Sequence, residues 1–139
     1  MGPRLLLGLA AAVWLPYGLY CFLAPAMLGS VAGVAFTSPT GSTEIRAMYG
    51  GLQMGVGVLS LLGLLLPEWR ITALRALLVL VGSLFASRVA GVALDGSLSA
   101  YTASALLLEA AGTAAAAYVL RSQRTAMPGA REPSTSSRA

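Results

Sequence analysis

Residues 44–66 read EIRAMYGGLQMGVGVLSLLGLLL, with Glu44, Arg46, Tyr49 and Gln53 gathered near the front of a run whose only later polar side chain is Ser60. A helix on the surface of a soluble protein keeps a polar face along its whole length. This run has none to offer, and it is long enough to cross the hydrocarbon core of a bilayer, which takes about 20 residues. Three further stretches of similar length and character lie at 5–23, 71–94 and 99–120. Pro67 to Arg70 separates the second from the third, and Asp95-Gly96-Ser97 separates the third from the fourth.

Composition agrees with that reading. Of 139 residues, 57% are hydrophobic and 10% charged, and the mean hydropathy of +0.78 lies well above that of soluble domains. The expected fold is all-α: a polytopic membrane protein with a bundle of four transmembrane helices over residues 1–120. Residues 121–139, RSQRTAMPGAREPSTSSRA, are expected to form a disordered basic cytoplasmic tail whose arginines face anionic lipid headgroups. The first stretch exceeds the 7–15 apolar residues usual in a cleaved signal peptide, so it is expected to be retained despite the small residues Ala24-Pro25-Ala26 after it.

Histidine is absent and Cys21 is the single cysteine. An intramolecular disulfide, histidine-ligated haem, thiolate clusters and zinc sites are thereby excluded, and no metal or cofactor is expected. Cys21 reads as a small buried apolar residue. The net charge of +4 comes from nine arginines and no lysine, and they are not gathered into a nucleic-acid patch. Their spacing reads as topology instead. With the N-terminus inside, Arg4, Arg70, Arg75, Arg121, Arg124, Arg131 and Arg138 fall on the cytoplasmic side, which favours N-in and C-in. The arginine, alanine and glycine bias suggests a GC-rich bacterial genome and hence the bacterial inner membrane. Trp69 and Tyr101 would mark the inner and outer interfaces.

Residues 24–43 would then form an outer connection, its first half lying at the interface and Thr43 capping the second helix. Glu44 follows as a carboxylate favoured by the helix dipole. Arg46, Tyr49, Gly50, Gln53 and Gly57 recur at helical spacing, a stripe expected to face inward. Counting 1.5 Å per residue, Gln53 and Glu109 lie at similar depths, roughly 14 and 15 Å below the outer ends of their helices, with Arg88 at roughly 9 Å. A charged Glu109 alone in hydrocarbon would be costly, so it must be paired, hydrated or protonated. The expected cluster is Arg88 with Glu109, flanked by Gln53 and Tyr49; Arg46, at the outer end of the stripe, is a candidate member that must otherwise find another partner or reach outer headgroups. Gly51 and Gly55 form a GxxxG, and with Gly50 and Gly57 they give the second helix a smooth packing surface. Pro16 is expected to kink the first helix.

TEIRAMYGG at 43–51, followed by Arg88, the Asp95-Gly96 turn and Glu109, resembles a small bacterial membrane family defined only as domain of unknown function 4345. The resemblance implies four inner-membrane helices and carries no activity with it. Three functions remain open. A small binding or transport protein would use Glu109 as an exchangeable carboxylate, with Arg88, Gln53 and Tyr49 shaping a pocket for an unidentified small molecule. A noncatalytic accessory subunit would use the cluster to fix packing and the glycines to recruit a second copy or another membrane protein. A membrane enzyme is disfavoured, because beyond Glu44, Glu109, Tyr49 and the arginines the chain carries no recognisable catalytic constellation.

Overall fold

The computed structural model describes residues 2–125. Five α-helices follow one another: α1 Pro3–Leu23, α2 Met27–Ala32, α3 Pro39–Leu65, α4 Arg70–Asp95 and α5 Ala100–Thr125, with a single 3₁₀ turn, Pro67–Trp69, before α4. No strand occurs among the described residues. All but α2 are long and apolar enough to cross a membrane. Their outer surfaces are apolar as well: Leu65, Val79, Leu94 and Leu107 are each more than 60% exposed. Serines on these surfaces turn inward on their own helices, as where Ser83 Oγ donates to Val79 O at 2.7 Å.

The helix ends follow local chemistry. Pro3 opens α1, where its missing N–H is no loss. Gly33 and Gly96, at φ +69° and +62°, take the left-handed conformation that closes α2 and α4. Ser99 Oγ accepts from Thr102 N at 3.1 Å at the start of α5.

Several expected boundaries move. The second long helix begins at Pro39 rather than 44, capped by Ser38, whose Oγ accepts from Gly41 N at 3.1 Å. Thr43 is therefore not a cap; its hydroxyl donates to Pro39 O within the helix. Glu44 lies beyond the first turn, so a helix-dipole account of it fails. The last helix continues past Leu120 to Thr125, which shortens the expected tail; residues 126–139 lie outside the described residues. The connection 24–38 is not merely interfacial: Leu28 of α2 is fully buried against Cys21 and Ile45.

α1 lies along α3, α3 along α4, and α4 along α5. A core of Leu7, Trp14, Leu74, Leu77, Val81 and Ala116 joins them. The α1–α3 seam is tight because it is built on glycine. A Cβ on Gly18 would come within 2.6 Å of Met54 N, and one on Gly57 within 2.8 Å of Leu15 N. By contrast α1 and α5 meet only sparsely, and a cleft opens between them.

Candidate functional site

Within α3, residues Arg46–Gly51 form one π-helical turn, with Leu52 N–H reaching back to Ala47 O. Its i→i+5 bonding advances fewer degrees per residue than an α-helix, so the residues before it are rotated away from those after. The expected stripe breaks at this point. Gly50, Gln53 and Gly57 are buried and Tyr49 is half-buried, but Arg46 leaves the cluster. Arg46 Nε donates to Phe22 O at 2.9 Å and its Nη1 to Ser42 Oγ at 2.6 Å. It thus satisfies a carbonyl left open at the C-terminal end of α1. Among the expected packing glycines, Gly50 meets Phe22 of α1, whereas Gly55 has nothing within 4 Å and Gly51 only the Arg46 carbonyl at 3.9 Å. The GxxxG is therefore not the intramolecular seam; Gly18, Gly50 and Gly57 are.

Arg88 of α4 and Glu109 of α5 meet in a two-pronged pair. Arg88 Nη2 donates to Glu109 Oε1 at 2.9 Å, and Arg88 Nε donates to Oε1 at 3.2 Å and Oε2 at 3.1 Å. The carboxylate side chain is 3% exposed and the guanidinium 26%. Such side-on geometry is the strongest form of an Arg–carboxylate contact, and it closes both charges on each other.

Beside the pair lies a cavity of about 430 Å³ between α1 and α5, into which Tyr49 and Gln53 of α3 also face. Gln53 is 7% exposed, and its Oε1 is buried without a hydrogen-bond partner. Arg70 and Thr113 also carry unpartnered buried atoms, but neither lines this cavity. At one end, Tyr17 and Tyr101 join hydroxyl to hydroxyl at 2.8 Å, bridging α1 and α5. Trp14 packs edge-on against Tyr17, ring centroids 6.4 Å apart, and forms part of the wall.

Sequence reasoning missed Trp14 and Tyr17, and read Tyr101 as a lipid-interface residue. A signal was present: Tyr101, Ala105 and Glu109 follow at i, i+4 and i+8 on one face of α5, and Trp14 and Tyr17 at i, i+3 on one face of α1.

The profile described as domain of unknown function, DUF4345, matches residues 3–120. The chain belongs to this family. No curated protein and no solved structure is significantly similar to it. The DUF4345 match takes in α1 to α4 and all of α5 to Leu120, and with them every residue of the cavity wall. The family description brings no activity to the site.

Proposed function

We propose that this DUF4345 protein binds a small molecule in the cavity between α1 and α5, with Gln53 and the Arg88–Glu109 pair as its polar wall. The observation that carries the reading is the Gln53 carboxamide, in the cavity wall with its oxygen buried and without a hydrogen-bond partner. A buried amide left unsatisfied destabilises by about 1–3 kcal/mol. Among the described residues with such atoms, Gln53 is the one that lines the cavity. Gln53→Met, nearly equal in volume, is expected to hold or raise the unfolding temperature in detergent. It is also expected to lose a small molecule that mass spectrometry finds in extracts of the purified parent. A fall in stability with identical extracts would overturn the reading and make Gln53 a packing residue.

A second reading rests on Gly51 and Gly55, which leave a bare strip on the exposed face of α3. An accessory subunit would use such a strip to receive another helix. Gly55→Leu would then reduce the mass of the detergent-extracted complex; an unchanged mass removes this reading.

The site also has an orientation. Arg4, Arg70, Arg75 and Arg121 lie at one end of the four helices, whereas Arg46 and Arg88 lie toward the other. By the positive-inside rule the cavity sits in the outer half of a bacterial inner membrane, with both helical termini inside. In a Cys21→Ala background, Ser97→Cys is expected to react with an impermeant maleimide in intact cells, and Glu68→Cys only after permeabilisation. The reverse pattern would invert the topology.

A further inference from the structure

A second cavity, of about 260 Å³, adjoins the first and shares Val13, Trp14 and Leu108 with it. Its remaining walls are entirely apolar, from Leu6 and Ala10 of α1 through Leu77 and Val81 of α4 to Gly112 and Ala115 of α5. Along α1 the two chambers run from Tyr17 to Leu6, about 16 Å at the rise of an α-helix. Apart from Trp14 in the shared wall, the polar side chains line the first chamber and not the second. Leu9, Val13 and Leu108 in the walls are 37–51% exposed, so the chambers open sideways onto the lipid-facing surface. The Tyr17–Tyr101 bond spans the polar end.

Building on the binding function proposed above, we infer that the occupant is a neutral single-chain amphiphile drawn from the bilayer, its hydroxyl-bearing head at Gln53 and its chain in the apolar chamber. Charge excludes the alternatives. Arg88 and Glu109 neutralise each other through three hydrogen bonds. An anionic head would compete with Glu109 for the guanidinium, and a cationic head with Arg88 for the carboxylate. Either leaves one charge stranded at membrane depth, where an unpaired ion is costly. A hydroxyl asks for neither exchange. It donates to the free carboxamide oxygen and accepts from an amide N–H, so it suits Gln53 in either orientation of the amide. An apolar chain filling the second chamber needs no partner beyond contact.

Trp14 lies in the wall common to both chambers and reports on their contents. The chain has two tryptophans, so Trp69→Phe leaves Trp14 as the only indole. In the full chain in detergent, a monoacylglycerol carrying a dibrominated stearoyl chain is expected to quench Trp14 saturably. Half-saturation should come at a mole fraction about tenfold lower than for the dibrominated fatty acid at alkaline pH or the matching alkyltrimethylammonium. Gln53→Met should raise the monoacylglycerol midpoint to that of the charged analogues. Ala111→Phe, which places a ring in the apolar chamber, should abolish saturation for all three. Equal midpoints for the three heads would overturn the inference by reducing it to chain partitioning. A lower midpoint for either charged head would overturn the neutral class while leaving cavity binding intact. Quenching that never saturates, beside a molecule still lost from Gln53→Met extracts, would overturn the amphiphile and spare the binding function; with identical extracts, both fall.

Discussion

Arg88→Met is expected to lower the unfolding free energy in detergent by about 3 kcal/mol, at the lower edge of what breaking a buried pair costs. The corresponding Glu109→Met is expected to cost only about 1 kcal/mol, near the range of interhelical polar contacts in membranes. The asymmetry follows from where each charge would go. Glu109 is 3% exposed, and its three hydrogen bonds come from Arg88, so losing the arginine leaves a buried carboxylate without a cationic partner. Arg88 is 26% exposed on a long flexible stem, and without its partner it can swing toward the headgroups. Replacing both together removes both charges, and an apolar pair is often as stable as the ion pair it replaces. The double variant should therefore recover most of the loss, giving a coupling of about 2 kcal/mol or more in a double-mutant cycle followed by thermal unfolding. Additive losses would mean that the two side chains act independently and that the pair does not hold α4 to α5.

The four long helices were readable because length and hydropathy alone mark a run able to cross a bilayer, and Pro67–Trp69 and Asp95-Gly96 interrupt such runs. Arg88 and Glu109 could be matched by counting rise per residue, since both lie on unbroken α-helices of 26 residues. The same count placed Gln53 level with Glu109, and both line the cavity; what failed on α3 was the assumption of a constant period. The π turn at Arg46–Gly51 adds no hydrophobic signature of its own, so a stripe drawn at constant period carried Arg46 into a cluster it does not join. The adjacent Gly50-Gly51 was the only hint that the backbone there departs from an α-helix. The GxxxG left its partner open for a related reason. Spacing reveals a smooth surface but not which surface meets a neighbour, and that is fixed by Gly18 on another helix. The meeting of Tyr17 with Tyr101, 84 positions apart, depends on how α1 leans toward α5 and leaves no trace in either segment alone.

Gly18→Ala should lower stability by about 2–3 kcal/mol, the upper part of the range for overpacking, and Gly18→Leu should prevent α1 from docking. The added methyl would meet Met54 N at 2.6 Å and Gly50 O at 2.8 Å, backbone atoms that no rotamer change can move aside. Gly50 and Gly57 face the same difficulty from the opposite side of the seam, with Phe22 Cα at 3.0 Å and Leu15 N at 2.8 Å. Gly55→Ala is the control on the same helix. Its Cβ would meet nothing, and the gain in helix propensity makes a neutral or slightly stabilising result the expected one. Thermal unfolding in detergent separates the two classes, and equal effects at Gly18 and Gly55 would refute the seam. The consequence reaches the cavity. Three glycines draw α1 hard against α3, and a helix held that closely on one side stands off from α5 on the other, which is the space that Gln53 faces. A side chain that shifts α1 relative to α3 also shifts Val13, Trp14 and Tyr17, which form the α1 wall of that space. Gly57→Ala, which disturbs the seam opposite Leu15, should therefore weaken monoacylglycerol quenching of Trp14 in the Trp69→Phe background even though Gly57 touches neither chamber.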